Sequence, residues 1–325
     1  MVQYSIENDQ VISKGYVEKL GIPYPNINRQ EIADQLSNGG FFPFTRCCFS
    51  IGDWGIISGL PEVFKMKYPN LQFYVPSPNW IKEVFKNISG WSSSGMPPED
   101  YVKLVFDNNP HVKYFEPKTF SMVYSDHDRC QRFDNEPLAE QIMRYFGFNE
   151  YEISTYDSRP NVYFTKEEIE LGNEIINTYS KRDGYGCCLF ASRLEHLNNC
   201  WDRDSRSIQN LIIAIKKDKL HHDMPVFYYS AFPIEESYWA DVFNITKYNF
   251  INFAEITDCN LRIQWYIKSK ARFNVSYQAG FNDTISRYSK HYVATHRIGT
   301  GETTMRDMIY FQNDGTVIKY PYIWN

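Results

Sequence analysis

The segment spanning residues 45–77, TRCCFSIGDWGIISGLPEVFKMKYPNLQFYVPS, constrains this chain more than any other. A short apolar run at 47–51 stops at Gly52-Asp53-Trp54-Gly55, and an amphipathic stretch then reaches Tyr68. A second apolar run, 71–75, follows the Tyr68-Pro69-Asn70 break. The spacing predicts a strand, a tight turn, a helix and a second strand parallel to the first. Open α/β sheets bind ligands beyond the carboxyl ends of their strands, and Asp53 stands at that edge.

The same alternation recurs. A helix is expected at 79–86, a loop at 91–98, short strands at 102–106, 112–115 and 122–124, and a helix at 136–146 closed by Gly147. A polar linker, 154–161, carries Arg159-Pro160. Thr165-Lys166-Glu167-Glu168 has the form of a capping box and opens a helix reaching about Ser180. Beyond it, strands at 187–191, 226–229, 251–253 and 273–276 alternate with helices at 205–217, 235–243, 260–268 and 283–289. Two such runs joined near residue 160 predict an α/β protein of two doubly wound, Rossmann-like domains facing a central cleft. Their bounds are 1–158, in which 1–44 is an added arm, and 159–325. At the end, apolar runs at 308–311 and 316–320 flank Asn313-Asp314-Gly315, a hairpin signal.

A length of 325 residues suits two domains, and 43% hydrophobic residues supply ordinary cores. Aromatics at 17% imply that much of the packing is aromatic. The net charge of -5 gives no broad basic field, which weighs against holding nucleic acid through its phosphates. DNA binding would need a local strip, for which Lys65, Lys67, Lys82, Lys86 and Arg129 are the candidates. The 7 cysteines are adjacent or isolated, with no CxxC, which reads as reduced thiols in a cytoplasmic protein and gives zinc no support. The first residues carry no signal-peptide pattern, and no run of about 18 apolar residues exists to span a membrane.

Several candidate sites each have two readings. Asp53 is a helix N-cap, a general base taking a proton from an acceptor hydroxyl, or both. Gly52, Trp54 and Gly55 would flank that acceptor, Gly55 allowing close approach to the backbone. Ser192 and Arg193, with Arg203 and Arg206 beyond, suit a diphosphate or a solvated loop. The turn Gln278-Ala279-Gly280-Phe281-Asn282-Asp283 can present N–H groups to phosphate oxygens, or simply connect a strand to a helix. Glu235 and Glu236 offset a helix dipole or accept bonds from a ribose. His221-His222-Asp223, in a Lys-rich helix end, reads as solvated surface; Asp202-Arg203-Asp204 has the form of a metal-diphosphate motif, but so common a pattern this close to a helix cap carries no weight. No metal site is expected. No GxGxxG, Walker loop or GxSxG occurs.

Taken together, these features resemble the heptosyltransferase-like, family 9 nucleotide-sugar glycosyltransferases. The likeness is carried by IGDWGIISGLPEVFKMKYPNLQFYV, QIMRYFGFNEYEISTYDSRPNVYFTKEEIELGNEII, CCLFASRLEHLNNCWDRDSRSIQNLIIAI and IQWYIKSKARFNVSYQAGFNDTISRY, covering most of 45–295. The resemblance implies the two-domain GT-B fold, a nucleotide-sugar as co-substrate with no other cofactor, and a hydroxyl acceptor on a glycan or modified nucleobase. It implies Asp53 as catalytic base, Ser192 and Arg193 as the phosphate loop, and Glu235 or Glu236 at the nucleotide. Gly280 would lie beside the diphosphate, with Gln278, Asn282 and Asp283 around it. The family's Asp-Ser/Thr-Gly-x-x-His is replaced here by 278–283, which lacks both the aspartate and the histidine. A lysine expected before Trp201 is also missing, leaving the diphosphate charge to Arg193, Arg203, Arg206 or Lys270. These departures point either to a donor other than ADP-heptose or to a module that binds without turnover. A phage-type DNA-base glycosyltransferase on the same fold is the remaining alternative.

Overall fold

The computed structural model describes residues 3–7, 10–14, 27–28, 36–45, 51–85, 98–116, 123–124, 138–180, 184–189, 225–229, 249–271, 273–276, 291–294, 308–311 and 317–320. It is a mixed α/β structure with parallel sheets that divides into two units, 1–163 with 300–305, and 164–299 with 306–325.

The first unit begins with an antiparallel sheet of β1 (Gln3–Glu7), β2 (Gln10–Lys14) and β3 (Ile27–Asn28). Its main sheet has four parallel strands, β4 (Gly40–Thr45), β5 (Leu71–Pro76), β6 (Val112–Phe115) and β7 (Val123–Tyr124), in the order β6-β5-β4-β7. Helices α1 (Ile51–Ile57), α2 (Leu60–Lys67), α3 (Pro78–Phe85), α4 (Pro98–Phe106), α5 (Leu138–Tyr145) and α6 (Glu150–Thr155) complete it. A strand not expected from the sequence, 40–45, joins this sheet, so the sheet claims the end of the supposed arm; of the run 47–51 only Ile51 is among the described residues, and it opens α1. One expectation is corrected: 102–106 is helix α4, because a run of apolar residues fits a buried strand and a buried helix equally well, and packing decides.

Aromatic rings fill this core. Phe42 stacks on Phe64 at 5.6 Å and meets Phe73 and Phe146 edge-on at 5.4 and 5.5 Å. Phe64 extends the cluster to Phe148 at 5.2 Å. All five are buried. At the edge of the cluster, Tyr68 Oη donates to the Phe146 carbonyl at 2.8 Å.

The second unit opens on α7 (Lys166–Tyr179), whose Thr165 Oγ1 accepts from Glu168 N while Glu168 accepts from Thr165 N, forming the expected capping box. Its sheet runs β10-β9-β8-β11-β12-β13-β14. The strands are β8 (Gly186–Leu189), β9 (Pro225–Tyr229), β10 (Asn249–Asn252), β11 (Phe273–Ser276), β12 (His291–Ala294), β13 (Met308–Phe311) and β14 (Val317–Tyr320). All pairs are parallel except β13 with β14, the expected terminal hairpin, which extends the sheet at one edge. Helix α8 (Leu261–Lys270) packs on α7 so tightly that a Cβ on Gly172 would meet the Tyr266 ring at 2.3 Å. Tyr185 Oη donates to the Ile267 carbonyl at 2.6 Å, which fixes α8 to the entry of β8. Cys187 and Cys259 are buried in this core, as expected of reduced buried thiols. The helices expected at 205–217, 235–243 and 283–289 lie outside the described residues.

Burial, helped by the Glu152 carboxylate, pushes the Tyr68 phenol up to about 12. An unfolded chain ionises this group near pH 10, so the folded state holds the proton more tightly. Its stabilisation is complete below about pH 10 and is lost as the pH rises to about 12. Tyr68→Phe should therefore lose less stability than the wild type over that interval in urea titrations; parallel pH profiles would contradict the assignment.

Candidate functional site

In the first unit the strand order reverses direction between β4 and β7, whose ends are in register, Thr45 opposite Tyr124. A crevice opens at the carboxyl ends of strands on either side of such a reversal. Residues 46–50 then lead from β4 into α1, so the chain delivers Gly52, Asp53, Trp54 and Gly55 just past that edge.

These four residues form helix rather than the expected turn. Trp54, Ile57 and Ser58 recur at helical spacing and are buried, and α1 packs on α4 and α5. Asp53 is the third residue of α1, not its cap, where a carboxylate favours the helix dipole; its side chain lies outside the described residues. Trp54, expected beside the acceptor, points into the core. It is 0% exposed and meets Phe106 edge-on at 5.9 Å, so no face of the ring is left for a ligand. Gly55 is buried too, and its carbonyl accepts from Ser58 N at 3.0 Å and Ser58 Oγ at 2.6 Å.

Ser58 also holds the helix in place, since its Oγ accepts from Asn161 N at 2.9 Å. Beside it, a Cβ on Gly59 would come within 2.2 Å of the Arg159 carbonyl oxygen. The 158–161 stretch, read from sequence as linker, thus clamps the end of α1. Nothing in the sequence marked Ser58 or Gly59, because their partners are about a hundred residues away.

Two of the lysines proposed for a basic strip, Lys65 and Lys67, sit away from this edge. Helix α2 ends where β5 begins, at the amino edge of the sheet. There Lys65 Nζ donates to the Leu71 carbonyl at 3.1 Å, and Lys67 Nζ pairs with Glu152 at 2.6 Å over the Phe148 ring. Lys82 is exposed on α3, and Lys86 and Arg129 lie outside the described residues.

In the second unit the reversal falls between β8 and β11, with Cys188 opposite Val275. The sequence continues from β8 to Ser192 and Arg193, from β11 to Gln278, Gly280, Asn282 and Asp283, and from β9 to Glu235 and Glu236. All of these, with Arg203 and Arg206, lie outside the described residues, but the strands that lead into the first two groups are hydrogen-bonded neighbours. Lys270, the other cation considered for the diphosphate, is described. It ends α8 just before β11 starts, at the amino edge, with Nζ 5.6 Å from the Tyr266 ring centre.

An open cleft of about 660 Å³ lies where α7 and α8 begin, beside the turn that leaves β10. Leu171, Phe253, Ile256 and Ile263 give it apolar walls, and Glu167, Glu168, Asp258, Asn260 and Gln264 give it polar ones. Glu168 is committed, bonded to Arg262 Nε at 2.5 Å and Nη2 at 3.0 Å. Asn260 Oδ1 caps α8 through Arg262 N and Ile263 N. Burial pushes the Cys259 thiol up to about 12, so it is a neutral wall residue. The sequence singled out neither Asp258 nor Gln264, which stand alone among unremarkable neighbours. Among the described residues, no group of three or more His, Cys, Asp or Glu converges as metal ligands, and no helix is long and apolar enough to cross a membrane.

No protein-family model and no curated protein matches the sequence. Among solved structures, the glycosyl transferase family 9 protein from Veillonella parvula DSM 2008 is similar at a TM-score of 0.49 and 8% identity, over 86% of this chain and 87% of that one.

The clamp and the core make two predictions. Gly59→Ala should lower the unfolding free energy by roughly 1–3 kcal/mol, because backbone must give way to the new methyl. Trp54→Ala should lower it by about 3–5 kcal/mol, as for other large-to-small core changes. Urea midpoints check both, and a wild-type midpoint for either variant would contradict the packing described.

Proposed function

We propose that this protein is a glycosyltransferase of GT-B architecture, with the acceptor held by the first unit and a nucleotide-sugar by the second. The observation that carries the reading is topological. In the main sheet of each unit the strand order reverses once beside the first strand, and the segments that carry Asp53, Ser192-Arg193 and 278–283 follow strands at those two reversals.

In this reading Asp53 takes the proton from an acceptor hydroxyl as its oxygen bonds to the anomeric carbon. The bond from that carbon to the diphosphate oxygen breaks in line, so configuration inverts, and the nucleoside diphosphate leaves with the electron pair. Arg193, with Arg203 and Arg206, offsets the charge of the leaving group, assisted by backbone N–H groups near Gly280. Ser192, Gln278, Asn282 and Asp283 position the diphosphate, and Glu235 or Glu236 accepts hydrogen bonds from the ribose. No metal is assigned a step. Gly52 and Gly55 hold the backbone beside Asp53, and Trp54 supports it from the core.

A thermal-shift screen of UDP-, GDP-, ADP-, CMP- and dTDP-sugars tests the donor half. One nucleotide class should raise the apparent melting point of the wild type, as any ligand of the native state does, and the rise should vanish in Arg193→Ala. Asp53→Asn should keep that shift while transfer to the acceptor falls by about 10²–10⁴-fold. No shift with any nucleotide-sugar at millimolar concentration would overturn the reading.

A further inference from the structure

The helix that carries Asp53 is too short to hold its own place. Its 7 residues are fewer than an isolated helix needs to persist in water, so what it touches sets its position. Trp54 and Ile57 seat one face in the core. The remaining restraint is Ser58, which is 1% exposed. Its Oγ donates to the Gly55 carbonyl at 2.6 Å and accepts from Asn161 N at 2.9 Å. A serine bonded back to its own helix is ordinary. One that also ties the helix to backbone 103 residues away is not.

The joint is stiff on both sides. At Gly59 the two backbones meet with no side chain between them, since a Cβ there would reach the Arg159 and Ser158 carbonyl oxygens at 2.2 and 3.0 Å. The partner segment is itself fixed: Ser158, Asn161 and Val162 are buried, and the Tyr163 ring lies 5.9 Å from that of His111. The next residue already belongs to the second unit. There Phe164 meets Tyr266 edge-on at 5.4 Å, with the Arg262 guanidinium 5.7 Å from its ring centre. The backbone bonded to Ser58 is thus the stretch that continues directly into the second unit.

We propose that Ser58 is a positioning residue for Asp53, fixing the helix of the base to the segment that enters the second unit. The inference rests on the transferase reading of Asp53 and adds to it how the base is held. Ser58→Ala takes away the acceptor of Asn161 N where burial keeps water out, so helix and segment must shift to satisfy their polar groups. A misplacement of about 1 Å at a reacting group costs about 10²-fold in rate. Donor binding, which belongs to the second unit, is untouched.

Release of free nucleotide from UDP-, GDP-, ADP-, CMP- and dTDP-sugars by the full chain, with water as the acceptor, gives kcat and KM. For a donor that the wild type turns over, Ser58→Ala should lower kcat by about ten-fold or more, with KM and the donor's melting shift unchanged. Asp53→Asn should lower kcat at least as far. The double variant should be no slower than Asp53→Asn alone, because a positioning residue has nothing to act on once the base is gone. Leu71→Ala, a core change at the amino edge of the first unit's main sheet, controls for lost stability and should keep the wild-type kcat below its melting point. Amide exchange in α1 should quicken in Ser58→Ala and not in Leu71→Ala. Ser58→Cys, whose thiol donates and accepts weakly, should give the same pattern with a smaller loss, and it replaces the alanine variant if that does not fold. Wild-type kcat in the Ser58 variants, or losses that multiply in the double variant, would overturn the positioning role and leave the transferase reading standing. No turnover of any of these donors by the wild type would overturn both.

Discussion

A strand can lie parallel to its neighbour only if the chain crosses back over the sheet, and that crossover is right-handed in nearly all proteins. Once the first strand is placed, successive crossovers must step one way, and a chain that continues on the other side of the first strand leaves a gap above it. Both sheets here do this, between β4 and β7 and between β8 and β11. The gap is a consequence of chirality and needs no special side chains to open it. The side chains matter afterwards, in what the loops bring to it.

The first unit brings α1 to its gap and holds it there from below. Trp54 and Ile57 bury one face of the helix. Ser58 and Gly59 then lock its end to the backbone of 158–161 through one hydrogen bond and one contact that admits no Cβ. Asp53 thus rides on a helix anchored in the core, where a tight turn had been expected. A rigid mounting of this kind suits a group that must meet a reacting oxygen within a few tenths of an ångström.

Elements with strong local signals were legible in the sequence. The Thr165 capping box and the β13–β14 hairpin carry residue types that specify their geometry within a few positions. Strand β11 was bounded correctly, its Phe273-Asn274-Val275-Ser276 alternating apolar and polar residues as a strand does. Strand β4 was missed because Gly40 and Pro43 break its pattern, and Pro43 is tolerated in a parallel sheet only by the pairing around it. Helix α4 was read as a strand because the apolar residues of 102–106 crowd together, whereas Pro98, Glu99 and Asp100 before them are ordinary helix-start residues. At the candidate site, the edge position of the Gly52–Gly55 segment could be read from sequence. The burial of Trp54 and the Ser58 clamp could not, since both depend on contacts across the fold. The pairing of Glu168 with Arg262 was hidden for the same reason.

The central claim is that the second unit binds a nucleotide-sugar at the reversal between β8 and β11. Amide hydrogen exchange of the full chain, with and without a saturating nucleotide-sugar, reads this directly, because a bound diphosphate protects the N–H groups that hold it. Protection should concentrate in peptides covering 190–206 and 277–283, with those covering 10–45 unchanged. Saturating binding that protected other segments, and left these two exchanging as in the free protein, would contradict it.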